Sequence, residues 1–223
     1  WVEDRLEHLT AATSATGRLC HAEAAVTADG RITALSLDQF DDCGAYLRAP
    51  EPATFYRMHG CLTGAYAIEH LRVRNRVVLT NKTPTGLVRG FGGPQVYFVL
   101  ERLVQRISVE LGLDVLDVYR RNFIHSDAFP YRAAAGALID SGDYTGALAL
   151  SVREGGLDEL RARQAAARSE GRLYGIGFAA IVEPSVSNMG YITAAMPAEA
   201  RKKVGPKNGA IASATVSVDL LGG

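Results

Sequence analysis

Hydrophobic and polar residues alternate over two neighbouring stretches near the start of the chain. The first stretch begins at Arg18, the second runs from Ile32 to Phe40, and Asp29-Gly30 lies between them. Alternation with a period of two is typical of half-buried strands, and Asp-Gly is a strong hairpin signal. The pattern therefore predicts an antiparallel hairpin. Residues 68–80 alternate in the same way and are predicted as a further strand.

The longest helical pattern follows in the middle of the chain. Apolar residues recur at helical spacing from Val96 to Leu111. Pro94 suits the first turn of this helix, and Gly112 suits the position after its last turn. Asp114 is predicted to be the N-cap of the next helix, with Asp117 completing a capping box.

The last third of the chain mixes helical and strand patterns. Helices are predicted at about residues 145–153 and 157–170, separated by Gly155-Gly156. Residues 173–182 form an apolar stretch with several small side chains and are predicted as a strand, as are residues 210–220. Hairpins and helix pairs without regular strand–helix–strand alternation indicate an α+β fold.

Charge and composition exclude several classes of protein. The 24 Lys and Arg residues balance the 24 Asp and Glu residues, so the sequence indicates neither a nucleic acid nor a membrane as the main partner. No apolar run approaches the roughly 20 residues of a membrane span. The cysteines, Cys20, Cys43 and Cys61, lack short pairing and indicate reduced thiols in a cytoplasmic protein. The histidines show no ligand spacing, so no metal-ligating side chain is predicted.

Residues 85–95 read Thr-Gly-Leu-Val-Arg-Gly-Phe-Gly-Gly-Pro-Gln and connect a predicted strand to the longest helix. A glycine-rich connection of this kind presents backbone N–H groups to an anion, with no Cβ in the way. The residues therefore indicate a cofactor or phosphate cradle in which Arg89 supplies charge and Phe91 supplies shape. The alternatives are that Arg89 only satisfies loop carbonyls and that Phe91 is a core aromatic.

Arg89 to Gln95 resembles the R-G-F-G-G-P-Q signature of the large, molybdenum-binding subunit of the xanthine dehydrogenase family. Further segments similar to that family occur in the same order: Glu3–Arg5, Glu110–Asp114, Arg120–Asn122, Asp140–Tyr144 and Gly175–Phe178. The resemblance covers essentially the whole chain and points to the bacterial three-subunit hydroxylases, which include large subunits of carbon monoxide, nicotine-type and caffeine-type dehydrogenases. It implies an α+β molybdenum cofactor-binding domain built of antiparallel hairpins and packed helices.

The resemblance also implies a domain organisation. Residues 1–150 correspond to the N-terminal part of the molybdopterin-binding domain, and residues 151–223 to the truncated start of a second molybdopterin-binding subdomain. The chain begins without Met and its last predicted strand runs into an unpaired turn, so we expect a piece of a longer polypeptide.

Site residues follow from the same resemblance. Arg89, Gly90, Phe91 and Gly92 are expected to bind molybdopterin, and Phe91 and Phe178 to hold a flat substrate between two aromatic rings. The alternative for Phe178, as for Phe91, is a core aromatic. No catalytic residue is expected here, because the family's glutamate base belongs to a C-terminal motif that this sequence does not contain. The implied cofactor of the full-length protein is molybdopterin, in its cytosine dinucleotide form, with molybdenum.

The implied reaction is hydroxylation of an N-heteroaromatic or aldehyde carbon with oxygen from water. Electrons would leave through an iron–sulfur subunit and an FAD subunit. Relatives that oxidise carbon monoxide carry a cysteine in an A-Y-R-C-S-F-R loop, whereas Gly90 follows Arg89 here, which argues against that substrate. The 223-residue chain alone is expected to be inactive and to bind no cofactor tightly. The alternative is a non-catalytic scaffold or interaction module that keeps the fold without the metal site.

Overall fold

The structure is a computed structural model that describes residues 1–48, 58–90, 92–183, 199 and 215–217. Two compact units divide the chain, Trp1–Val182 and Glu183–Gly223, and the architecture that follows is that of the first. The strand predicted at residues 210–220 lies outside the described residues, apart from 215–217. The domain division predicted between residues 150 and 151 stays a prediction.

Helices and strands alternate irregularly along the first unit, which confirms the α+β class. In chain order they are α1 Arg5–Ala11, β1 Gly17–Val26, β2 Ile32–Asp42, β3 His70–Val78, α2 Gly93–Leu111, α3 Val115–Asn122, β4 Tyr131–Arg132, β5 Leu138–Ile139, α4 Tyr144–Glu154 and α5 Leu157–Ser169. Short 3₁₀ turns occupy His59–Cys61 and Ser126–Ala128. The predicted long helix and the two helices after residue 144 are therefore confirmed.

Three strands form the main sheet, in the order β1-β2-β3. β1 and β2 are antiparallel, with Arg18 opposite Asp41, which confirms the predicted hairpin. Their connection is residues 27–31, longer than a two-residue turn, and Gly30 adopts the left-handed conformation within it. β3 pairs with β2 in parallel. Periodicity alone does not reveal strand direction, and this parallel pairing was not predicted.

One hydrophobic core joins the inward face of the sheet to α2 and α3. Leu35 and Leu37 of β2 belong to the same buried cluster as Leu100 and Val104 of α2. Aromatic rings fill the region beneath α3, where Tyr66, Tyr119 and Phe123 lie with ring centroids 5.6–6.0 Å apart. The core thus fixes α2 across the sheet, with its N-terminus beside the start of β1.

Asn122, at the end of α3, ties the hairpin turn to the helices. Its Oδ1 accepts a hydrogen bond from the backbone N–H of Ile32 at 2.7 Å. Its Nδ2 lies 2.8 Å from the carbonyl oxygens of Gly30 and Val118. Because the side chain is buried and both its amide oxygen and its amide nitrogen are hydrogen-bonded within the protein, we assign Asn122 a structural role.

Two predictions about local structure were wrong. Asp114 does cap α3, accepting a hydrogen bond from Leu116 N at 2.8 Å, but Asp117 pairs with Arg120 and does not complete a capping box. Residues 173–182 have no regular secondary structure and pair with no strand among the described residues. Their alternating burial is strand-like, but their backbone hydrogen bonds go to side chains of the helices.

Candidate functional site

The glycine-rich stretch, residues 85–95, leads into the N-terminus of α2, which begins at Gly93. Gly90 and Gly92 have φ angles of 93° and 86°, in the left-handed region that favours glycine. The N–H of Gly93 donates to the carbonyl oxygen of Gly90 at 2.8 Å, which closes a tight turn. A Cβ on Gly90 would lie 2.7 Å from the Pro94 ring. The turn therefore requires glycine for its conformation and for its space.

A cavity of about 180 Å³ lies between this turn and the segment that leads into β1. Its lining includes Thr16, Gly86, Arg89, Gly92, Pro94 and Gln95. Gly86 allows the two segments to approach, because its N–H donates to Ser14 O at 3.1 Å and a Cβ there would lie 2.7 Å from Thr13. The cavity thus joins two parts of the chain that are distant in sequence.

Gln95 presents a polar atom that the protein does not satisfy. Its Nε2 donates to the carbonyl oxygen of Thr16 at 3.0 Å, while its buried Oε1 has no hydrogen-bond partner in the described part of the chain. A buried acceptor left unpaired costs about 1–3 kcal/mol. Since Gln95 lines the cavity, this oxygen can accept an N–H of a bound molecule.

Arg89 lines the same cavity with an exposed side chain. Within the described ranges it makes no ion pair and no hydrogen bond to a loop carbonyl, unlike the alternative considered from the sequence. A guanidinium beside the positive end of a helix dipole favours anionic groups such as phosphate. Phe91, the predicted aromatic of this stretch, lies outside the described residues, so its role stays a prediction.

The structure places Phe178 at a different cavity. This second cavity, of about 260 Å³, is also lined by Tyr119, Phe123 and Leu148. The carbonyl oxygen of Phe178 lies 3.4 Å from Gln105 Nε2. With a rise of about 1.5 Å per residue, Gln105 is about 18 Å along α2 from its first residue. The structure therefore does not bring Phe178 to the cavity that Arg89 lines, and its predicted role in substrate binding stays a prediction.

A buried carboxylate that the sequence analysis did not identify lies on α2 between Gln95 and Gln105. Glu101 of α2 is 5% exposed and accepts hydrogen bonds from the hydroxyls of Tyr66 and Tyr119, each at 2.7 Å. It also accepts the backbone N–H of Ala180 at 3.0 Å. The available signal was the spacing of Tyr97, Glu101 and Gln105, which recur every four residues along a helix that otherwise reads as apolar on its buried side.

Burial has the largest effect on the pKa of the Glu101 carboxyl. It raises the pKa of Glu101, and the hydrogen bonds from Tyr119, Tyr66 and Ala180 oppose that rise. The pKa of the Tyr66 and Tyr119 hydroxyls is also raised, first by burial and then by the neighbouring Glu101. Both phenols therefore remain protonated donors.

A buried ion pair fixes the start of β1 beside the first cavity. Arg18 donates from Nε and Nη2 to the two carboxylate oxygens of Asp41, at 2.7 and 2.9 Å. The two side chains are 5% and 0% exposed. Because Arg18 follows Thr16 closely, this two-pronged contact holds the wall of the cavity against the sheet.

The cavity at the start of α2 combines a helix N-terminus, an exposed arginine and an amide oxygen unpaired within the described residues, a lining suited to a polar ligand. Residues 1–123 match the molybdopterin cofactor-binding domain family, and the chain belongs to that family. The matched residues contain the glycine-rich stretch, Thr16 and Gln95.

Relatives and solved structures agree with this assignment. The chain is 32% identical to the carbon monoxide dehydrogenase large chain of Hydrogenophaga pseudoflava and 28% identical to the 6-hydroxypseudooxynicotine dehydrogenase complex subunit gamma of Paenarthrobacter nicotinovorans. Each match covers 82% of this chain and 24% of the relative. Quinoline 2-oxidoreductase from Pseudomonas putida 86 superimposes with a TM-score of 0.71 and 31% identity, over 77% of this chain and 22% of that one. The chain therefore spans about a quarter of the length of these proteins.

The residues of the first cavity fit one edge of a molybdopterin cofactor. Gln95 Oε1 offers an acceptor to a pterin N–H, and the start of α2 with Arg89 offers a positive environment for a phosphate. The volume is below the roughly 300–1,000 Å³ typical of complete small-molecule sites. Among the described side chains, no group of three or more His, Cys, Asp or Glu is placed to hold a metal ion directly. Within the same residues, no helix is long and apolar enough to cross a membrane.

Proposed function

We propose that this chain forms one wall of the active site in the large subunit of a molybdenum hydroxylase. The observation that carries the proposal is the family match over residues 1–123, which contains the cavity at the start of α2. In the full-length protein, Arg89, Gly90, Phe91 and Gly92 would bind molybdopterin, in its cytosine dinucleotide form. The bound cofactor would supply the redox chemistry at molybdenum.

The proposed reaction replaces a C–H bond by a C–OH bond. The oxygen comes from water, and two electrons and two protons leave. The substrate class we favour is an N-heteroaromatic compound or an aldehyde, with Phe91 and Phe178 orienting its flat ring or carbonyl. Similarity to proteins named for quinoline and 6-hydroxypseudooxynicotine supports this class. Gly90 offers no thiol after Arg89, which counts against carbon monoxide despite the similarity to that dehydrogenase.

Electrons would leave through an iron–sulfur subunit and an FAD subunit, since the reaction needs an electron acceptor that this chain does not contain. Similarity to a subunit of a dehydrogenase complex supports such partners. We place the assembled protein in the cytoplasm, in keeping with Cys20, Cys43 and Cys61, which form no disulfide.

The 223-residue chain alone is proposed to be inactive. A cavity of about 180 Å³ surrounds too little of a cofactor to retain it, and the chain spans only 24% of its relative from Hydrogenophaga. Stoichiometric molybdenum in this purified chain would contradict the proposal.

The full-length protein, expressed with its iron–sulfur and FAD partners, provides the test. Purines, pyridines, aldehydes and carbon monoxide are assayed in turn, in water labelled with heavy oxygen. The proposal expects labelled hydroxylated product from an N-heteroaromatic compound or an aldehyde. Cofactor content without turnover of any of these would contradict the substrate class, and absence of cofactor would favour the scaffold alternative.

A further inference from the structure

The buried side of α2 carries a row of polar side chains that hydrogen-bond the backbone of another segment of the chain. Tyr97, Glu101 and Gln105 are spaced four residues apart and so lie along one face of the helix. Each of them hydrogen-bonds the backbone of the segment Phe178–Val182, which belongs to no strand. Backbone N–H and C=O groups away from water need hydrogen-bond partners, and here the helix side chains supply them.

The contacts are specific for backbone atoms. Glu101 Oε2 accepts the N–H of Ala180 at 3.0 Å. The Tyr97 hydroxyl donates to the carbonyl oxygen of Val182 and accepts the N–H of the same residue, the latter at 3.2 Å. In the described part of the chain these are the only hydrogen bonds that the N–H groups of Ala180 and Val182 make. Loss of the helix side chains would therefore leave this edge of the segment unpaired.

Glu101 is the centre of the row. A carboxylate on a buried helix face is costly to desolvate, and it is tolerated here because three donors surround it. The two tyrosine hydroxyls orient its oxygens, so that one of them meets the N–H of Ala180. An apolar side chain would pack at this position without a buried charge but would offer the segment no acceptor.

Phe178 belongs to the same network. Its carbonyl oxygen lies 3.1 Å from the hydroxyl oxygen of Tyr119, whose single proton has its shorter contact, 2.7 Å between oxygens, with Glu101. We propose that Glu101 is a positioning residue that holds the segment Phe178–Val182 against α2 and thereby sets the position of the Phe178 ring. That the placed Phe178 ring helps to bind substrate rests on the proposed function. That Glu101 holds the backbone of Phe178–Val182 does not.

Hydrogen exchange in the full-length protein tests the hold on the backbone. Glu101→Met keeps the length of the side chain but has no acceptor oxygen, so the N–H of Ala180 loses its partner. The amide of Ala180 should then exchange about tenfold faster or more. Glu110→Met, on the exposed side of the same helix, is the matched control and should leave this exchange unchanged. Unchanged exchange at Ala180 in a folded Glu101→Met protein would overturn the proposal.

A milder variant keeps the test decisive if Glu101→Met fails to fold. Glu101→Asp keeps the carboxylate but withdraws it from the N–H of Ala180 by one methylene, so exchange at Ala180 should also accelerate. Native exchange at Ala180 in this variant would overturn the proposal.

Steady-state kinetics separate this inference from the proposed function. With an N-heteroaromatic substrate, Glu101→Met should raise KM severalfold while kcat changes little, because Glu101 acts on the placement of the Phe178 ring. Faster exchange together with no turnover in the unmodified protein would support the positioning role and contradict the proposed function. Faster exchange with an unchanged KM in an active enzyme would contradict the role of Glu101 in setting the Phe178 ring.

Discussion

Gln95 Nε2 on α2 donates a hydrogen bond to the carbonyl oxygen of Thr16, 3.0 Å away and 79 residues earlier in the chain. The contact joins the end of the glycine-rich stretch to the segment that enters β1. It also fixes the amide so that Oε1 is buried without a partner among the described residues. Two distant segments therefore form the wall of the cavity, and Gln95 Oε1 is an acceptor in that wall without a partner among the described residues.

Replacing Gln95 by leucine should reduce cofactor retention more than it reduces stability. The variant loses one hydrogen bond, worth about 1 kcal/mol, but it also removes an unpaired buried oxygen, so the free energy of unfolding should change by less than about 1 kcal/mol. Pterin content and urea unfolding of the full-length protein measure the two effects. Gln164→Leu is the control, because it loses a similar bond to the carbonyl of Tyr174 away from the cavity. Equal pterin content in the two variants would contradict the role of Gln95.

Gly90→Ala should disrupt the turn at the start of α2. Its φ of +93° is strained for alanine, and the new Cβ would lie 2.7 Å from Pro94. Gly136 has a φ of +100° with nothing within 4 Å of a new Cβ. Gly136→Ala should therefore cost about 1 kcal/mol from backbone strain alone, and Gly90→Ala clearly more. Thermal unfolding of both variants checks this, and equal losses would show that the contact with Pro94 is unimportant.

The buried pair Arg18–Asp41 should matter far more for stability than an exposed pair. Arg18→Met leaves the Asp41 carboxylate buried without its partner and should cost about 3–5 kcal/mol. Arg106→Met, which breaks the exposed pair with Glu110 on α2, should cost no more than about 0.5 kcal/mol. Urea titration gives both values. Similar losses for the two variants would mean that burial does not control the strength of the pair.

Asp42 should make the protein sensitive to acid. Hydrogen bonds from Lys82, Thr80 and the N–H of Gly44 lower the pKa of this carboxyl from 3.8 to about 2. Because the pKa is lower in the folded state, the stabilisation is present above pH 4 and is lost as the pH falls towards 2. Asp42→Asn should flatten this part of the curve of unfolding free energy against pH. Asp127→Asn, at an exposed carboxylate, should retain the slope, and a wild-type slope in Asp42→Asn would contradict the assignment.

Local patterns in the sequence were enough to predict the hairpin, the long helix and the glycine-rich turn. Each depends on spacing or on turn residues that are close together in the chain, such as Asp29-Gly30 or Pro94 before the apolar positions of α2. The family signature likewise lies within seven consecutive residues, 89–95. These features were predictable because neighbouring residues determine them.

Contacts between distant residues were not predictable in the same way. Glu101 and Ala180 are 79 residues apart, and nothing in the alternation of residues 173–182 reveals that a helix, not a strand, satisfies their backbone. The parallel pairing of β3 and the unpaired Oε1 of Gln95 also depend on the packed core. Sequence therefore indicated the glycine-rich turn and Arg89 at the start of α2, but not the unpaired Oε1 of Gln95 or the buried Glu101.

The cofactor content of two arginine variants tests whether the cavity at the start of α2 binds molybdopterin. Molybdenum and pterin are measured per chain in the full-length protein with its partner subunits, for wild type, Arg89→Ala and Arg72→Ala. Arg72 is an exposed arginine on β3 that makes no ion pair within the described ranges, so it controls for loss of surface charge. If Arg89 binds the cofactor, Arg89→Ala should contain severalfold less pterin, and Arg72→Ala should keep the wild-type content. Wild-type content in Arg89→Ala, or no pterin in the wild-type protein, would contradict binding of molybdopterin at this cavity.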